Sequence, residues 1–423
     1  MNKYYFQRRV GTLTGTHLAV AGVAVALGVL TSCNGNDSSP NLPPIIPVPN
    51  SIAIANLNGE PDLVVATTAD QGSSQNPGYA DVILNTSGSL GTFKTGVHYS
   101  TTGTNPSSIA VADLASTGGL DLVIANFGNG SVSIFMHGAT PGTFDAAVDV
   151  PTGGQPNQVV ASDLGSTGKG HPALILADMS PSGNVIVLKP DPANPGKFLA
   201  PMNLPTRLTT TSVAVADLTR GGGLPAVVAA TYDSSGNNGA VQVFAQDTQN
   251  PGTFLAPVSF PAGAQPQSVK IADVDGDGLP DIVVANLGPG RNGLGSAGVS
   301  VLLQDAAHPG NFLAPVTYTT PGQSIDVAVG DLQRSGRLDL VVVNLVPFNT
   351  GSVSVLLHDP QHLGAFLAAT DYPALSQPLS VAIADLNGDG HLDIAIADGP
   401  SAGVLMQNAT SPGTFGPVMQ VGF

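Results

Sequence analysis

Four aspartates stand at positions 273, 275, 277 and 281, within "ADVDGDGLPDIVVAN". A second stretch, "ADLNGDGHLDIAIAD", offers Asp385, Asn387, Asp389 and Asp393 in the same places. Hard side-chain oxygens at alternate positions, with glycines between them, suit a calcium ion, and the backbone carbonyls of Leu279 and His391 add a further oxygen each. An EF-hand loop would close on a bidentate Glu at its twelfth position. Here that position is Val284 or Ile396, in the middle of an apolar run, and neither flank is helical. Asx turns are another use for such side chains, but the −4 charge of the first loop and the −3 of the second favour a cation. Two structural calcium sites are therefore expected.

Other chemistry is sparse. Of the eight histidines, His137 and His358 fall at matching places in the chain, as do His308 and His362, which marks them as satisfied or solvated loop residues. The single glutamate, Glu60, has no partner for glycoside hydrolysis, and no serine sits in a nucleophile elbow. Zinc, dinucleotide and P-loop patterns are missing, so no catalytic residue is expected. A complete lack of Trp weakens sugar-stacking readings.

The elements that must hold the aspartates emerge from internal repetition. "SIAIANL" at Ser51 returns as "SIAVADL" (Ser108), "QVVASDL" (Gln158), "SVAVADL" (Ser212), "SVKIADV" (Ser268), "DVAVGDL" (Asp326) and "SVAIADL" (Ser380). A second phrase, Gly-x-Phe, ends at Phe93, Phe144, Phe198, Phe254, Phe312, Phe366 and Phe415. Each repeat carries four strand-like runs: one rich in alanine, one continuously apolar, one alternating, and one after the Gly-x-Phe that often contains Pro. Four strands, seven times, predict an all-β fold, a seven-bladed β-propeller of four-stranded antiparallel blades, with blades starting near 51, 108, 158, 212, 268, 325 and 380. Both chain ends fall at blade boundaries, so either "IIPVP" (45–49) adds an edge strand or blades one and seven simply pack.

Aspartate loops of the type D-x-[DN]-G-D-G-x-x-D between propeller strands, with Gly-x-Phe in each repeat, resemble FG-GAP/VCBS repeats, the kind that form the integrin α propeller. The resemblance spans 51–423 and implies calcium cages on one face but no single activity. Blades two and six depart from the pattern. Ala115 and Thr117 replace the middle ligands between Asp113 and Asp121, while Gln333, Ser335, Arg334 and Arg337 stand between Asp331 and Asp339. There an arginine is expected to neutralise the outer pair of aspartates. Blades three and four lack the closing acid, and the loop of blade one is two residues short.

The N-terminus carries a separate message. Lys3, Arg8 and Arg9 precede a 13-residue apolar run (18–30) that ends in "LTSC" at Cys33. The run is too short to span a bilayer comfortably and suits a signal peptide (1–32), whose end resembles the lipobox of bacterial lipoproteins. Cys33, the only cysteine, is the expected lipidation site, and 33–50 reads as a tether. Loss of 1–32 would leave 10 basic against 29 acidic residues, a net charge of −19, which repels nucleic acid and anionic headgroups. The expected location is the bacterial cell envelope, at the outer membrane or cell surface by way of the lipid anchor.

The loops that do not repeat are the places to look for a partner. They run 67–80, 231–240, 286–298 and 344–351, on the face opposite the aspartate loops, and offer Tyr79, Tyr232, Arg291 and Phe348, side-chain types enriched at binding hot spots. The sequence thus points to a non-catalytic, calcium-stabilised, lipid-anchored module that binds an extracytoplasmic protein or glycan. The alternative is a propeller that binds or processes carbohydrate.

Overall fold

Alanine and β-branched residues alternating with small polar ones give each repeat its strands, and Gly, Pro and Asn interrupt them. The computed structural model describes residues 48–68, 77–86, 91–165, 171–219, 221–233, 236, 239–288, 297–346, 350–399 and 401–422. The expected signal peptide, Cys33 and most of the tether lie outside them. The described residues form 28 strands in seven four-stranded antiparallel sheets, each using its strands in chain order. The first strands are Val48–Asn56, Pro106–Ala112, Pro156–Ser162, Thr209–Ala216, Pro266–Ala272, Gln323–Gly330 and Pro378–Ala384. They begin two or three residues ahead of the repeat boundaries read from the sequence.

Each first strand packs beside the next around a closed circle, and that of blade seven meets that of blade one. Neither blade borrows a strand. The junction is a hydrophobic cluster in which Ile52, Leu63, Val65 and Ile83 pack on Leu386, Ala395, Ala397, Ala402 and Val404. The second strands are apolar between their polar ends because sheets cover both of their faces: Asp121–Asn126, Asp281–Asn286 and Asp393–Asp398 are buried at every residue.

A polar belt ties the inner strands together. Register shifts fall just before the repeated Ser in most blades, between Pro49 and Ser51, Pro106 and Ser108, Pro266 and Ser268, and Pro378 and Ser380. Such bulges re-aim the extra side chain. Asn50 Nδ2 donates to the Pro106 carbonyl (2.7 Å), Ser107 Oγ to that of Pro156 (3.0 Å) and Thr211 Oγ1 to that of Pro266 (2.7 Å), each in the next blade. One residue on, Ser51, Ser108, Gln158 and Ser212 accept from the next blade's backbone N–H, and Ser380 accepts from Ile52 N (3.4 Å) across the junction.

The Gly-x-Phe phenylalanines fill the spaces between outer strands. Tyr99 meets Phe144 edge-on at 5.5 Å, Phe260 meets Phe312 at 5.2 Å, Tyr318 meets Phe366 at 5.5 Å and Tyr372 meets Phe415 at 5.7 Å. Each pair joins the outer strand of one blade to the turn of the next.

Candidate metal centre

The blade-five loop connects the first strand to the second, and backbone amides build its turn around Asp273. Asp273 Oδ1 accepts from Gly276 N (2.7 Å) and Asp277 N (3.1 Å), and Oδ2 accepts from Gly278 N (2.9 Å). Gly276 (φ 77°) and Gly278 (φ 87°) take the left-handed conformation this turn needs. Asp275 accepts from Asp277 N (3.0 Å) and Asp277 from Leu279 N (2.7 Å). The closing Asp281 opens the second strand, fully buried, and accepts from Val274 N (2.9 Å) and Gln304 N (2.7 Å).

One oxygen from each of Asp273, Asp275 and Asp281 falls within 4.8 Å of the others. Asp277 stands outside this triad. Burial, with the charges of Asp275 and Asp273 adding to it, pushes the Asp281 carboxyl up to about 7, against the two amides that pull it down. Asp275 is raised as well, first by burial and then by its acidic neighbours. Three converging carboxylates, all oxygen, one of them buried, fit a hard divalent cation.

Blade seven repeats the turn bond for bond. Asp385 accepts from Gly388 N (2.7 Å), Asp389 N (3.1 Å) and Gly390 N (2.8 Å), and Asn387 Oδ1 accepts from Asp389 N (2.9 Å). Asp389 accepts from His391 N (2.8 Å), and Asp393 from Leu386 N (3.0 Å) and Gln407 N (2.8 Å). Asn387 stands where Asp275 does, so this loop offers one carboxylate fewer. Burial followed by the charges of Asp389 and Asp385 pushes Asp393 to about 6.

The arginines of blade six do not do what the sequence suggests. Arg337 donates to the carbonyls of Asp359 and Pro360 (both 3.4 Å), and Arg334 lies against Gly390 of blade seven. It is His358 whose ring reaches Asp339, at 2.8 Å, and His137 reaches Asp121 at 2.7 Å. His308 and His362 are exposed and pair locally with Asp305 and Asp359.

The expected partner residues fare less well. Tyr232 ends the second strand of blade four and is buried, because the strand runs two residues into the stretch 231–240 read as loop. It offers no surface. Tyr79 lies in the third strand of blade one, half-buried, its ring 5.7 Å from that of His98. Arg291 and Phe348 lie outside the described residues. Two charged groupings escaped the sequence reading. Asp81, fully buried, accepts from Thr67 Oγ1 (2.5 Å) and pairs with His98. On the innermost strands Lys270 Nζ lies 3.5 Å from Asp326, where the repeats have Ala and Ser. The break of pattern in "SVKIADV" and "DVAVGDL" was the available signal.

Seven four-stranded blades closed in a ring, with aspartate-bearing turns between the first and second strands, define a β-propeller of the repeat class. The FG-GAP-like repeat family matches residues 221–284 and 335–396, which include or adjoin the turns of blades five, six and seven. The chain thus carries FG-GAP-like repeats on a seven-bladed β-propeller. Among solved structures, candidate 6-phosphogluconolactonases from Bacteroides uniformis and Bacteroides fragilis both superpose with a TM-score of 0.54. They are 15% and 14% identical over 83% and 84% of this chain and 94% of theirs. A Lactobacillus plantarum protein follows at TM-score 0.50 and 16% identity, over 78% of this chain and 86% of its own. At such identities the likeness concerns the fold alone. No curated protein sequence matches the chain.

Proposed function

We propose that this protein is a non-catalytic binding or adhesion module of the bacterial cell envelope, stiffened by calcium and held to the membrane through acylated Cys33. The observation that carries the reading is how the acidic triad is used. Asp273 and Asp281 are engaged by the backbone amides of their own blade, so an ion there fastens the first strand to the second. Such a site is a staple, and recognition is left to the variable loops of the opposite face. The lipid anchor rests on "LTSC" at Leu30–Cys33 and the apolar run before it.

The test has three arms, the first and third on the chain from residue 33 onward and the second on the full-length protein. Calcium titration by calorimetry should show binding and a higher Tm; an unchanged Tm in EDTA would remove calcium from the account. Labelled palmitate should enter the full-length protein expressed in a bacterial host and fail to enter Cys33→Ala; equal labelling of both would refute the anchor. A glycan array together with hydrolase and lyase screens should be silent. Turnover in any of them would replace this reading with a carbohydrate-processing one.

A further inference from the structure

We propose that the residue at the exit of the third strand decides whether a blade's aspartate turn takes a cation: histidine, at 137 and 358, stands in for the ion, while glutamine, at 304 and 407, leaves its place available. The inference rests on the calcium reading given above for blades five and seven. The four residues are equivalent by position, because each bridges the Gly-x-Phe phenylalanine of its own blade: His137 with Phe144, Gln304 with Phe312, His358 with Phe366 and Gln407 with Phe415.

The closing aspartates of these blades, Asp121, Asp281, Asp339 and Asp393, are all fully buried. Each accepts one backbone N–H from its turn (Leu114, Val274, Leu332, Leu386) and one from the exit residue. The difference is a third donor. In blades two and six the imidazole Nδ1–H donates to the same oxygen as the backbone N–H, at 2.7 and 2.8 Å. In blades five and seven the glutamine amide turns away and donates to the carbonyl of Pro280 (2.6 Å) or Leu392 (2.9 Å). A buried carboxylate needs such compensation, from an N–H or from a cation.

In blade two the imidazole bridges the closing aspartate and the middle of the turn. Its Nδ1 meets Asp121, and its Nε2 lies 3.3 Å from Thr117 Oγ1, the residue in the position of Asp277. Gly119 makes room for it, since a Cβ there would sit 2.3 Å from the ring. The outer aspartates keep the turn in shape without the middle acids. Asp113 accepts from Thr117 N (3.0 Å) and Gly118 N (2.7 Å), and Asp331 from Ser335 N (2.9 Å) and Gly336 N (2.7 Å). Loss of the middle acids on one segment and gain of the imidazole on another occur together in both blades. Blade five keeps both middle acids and blade seven keeps Asp389 with Asn387 as a second oxygen donor, and neither gains an imidazole.

Amide hydrogen exchange on the mature chain reads the four turns separately, with calcium and with EDTA. Calcium should slow exchange at 273–281 and 385–393 by about tenfold and leave 113–121 and 331–339 unchanged. His358→Gln should speed exchange at 331–339 by about fivefold whether or not calcium is present, and His137→Gln should do the same at 113–121 if the first variant folds poorly. Restoring acids as Gln333→Asp and Ser335→Asp should make 331–339 respond to calcium in the His358→Gln background, and less so with His358 in place. Calcium slowing exchange at 273–281 while 331–339 ignores His358→Gln would overturn this inference alone. Calcium without effect on all four turns would overturn the calcium reading, and the choice of cation by the exit residue with it.

Discussion

Asp281 and Asp393 are carboxyls pushed upward, to about 7 and about 6, chiefly by burial and further by the acids beside them. A raised folded value means that the folded chain holds a proton the unfolded chain has released. In calcium-free protein, stability is therefore greatest at the acid end and falls as pH rises from the ordinary 3.8 through about 7. Calcium competes for the same oxygens, so its stabilising effect should grow across that window. Thermal unfolding between roughly pH 5 and 8, in EDTA and in calcium, checks both signs, and an EDTA curve that rises instead would refute the account. Asp275→Ala should weaken calcium binding by roughly tenfold or more, since it removes one of the three converging carboxylates. Asp277→Ala, outside the triad, should cost less, and calorimetry on the two variants compares them directly. The aspartates were legible because repetition exposes them; their ranking was not, because it depends on which oxygens converge.

Strands and turns show where pattern reading stops. The alanine-rich first strand and the apolar second strand could be read directly, since burial on both faces leaves a composition mark. The bulge before the repeated serine could not, because its cause is a carbonyl in the next blade. Tyr232 was misread as surface for a similar reason: the strand continues past the expected loop boundary and carries the ring inward. At this scale the outer seam is the part to test. Tyr372 Oη accepts from Phe415 N at 3.2 Å and Tyr318 Oη from Phe366 N at 3.2 Å. Tyr372→Phe should cost about 1 kcal/mol, the worth of one hydrogen bond, whereas Phe366→Ala should cost about 3–5 kcal/mol through the cavity it leaves. Urea unfolding of the two variants separates these values.

At several places in the ring, the turn of the Gly-x-Phe type lies on the aspartate loop of the blade before it. A Cβ on Gly364 would lie 3.1 Å from Cβ of Asp275, and one on Gly91 would lie 3.2 Å from Cβ of Asn387. The second contact crosses the junction between the last blade and the first, where Asn85 Nδ2 also donates to the Leu386 carbonyl at 2.8 Å. The blade-seven turn is thus part of the closure. Stripping calcium should open this junction before any other, with faster amide exchange at 48–56 and 401–421 than in the strands of blade three. Asn85→Ala should reproduce part of that loosening with calcium present. Uniform loss of protection around the ring would show that closure does not depend on the blade-seven loop.

The sequence by itself determined the number of blades, the strand count within each and the two loops rich in oxygen donors. All three are periodic, and periodicity survives in one dimension because each blade meets the same environment. The tertiary structure decided what occurs once or passes between blades: closure by packing without a shared strand, the pairing of Lys270 with Asp326, and the imidazoles of His137 and His358 on buried carboxylates. His358 and Asp339 lie 19 residues apart in the chain, one just past the third strand and the other opening the second, and strand pairing alone brings them together. No local pattern marks such a contact, since it is set by register and by which neighbour the side chain then faces.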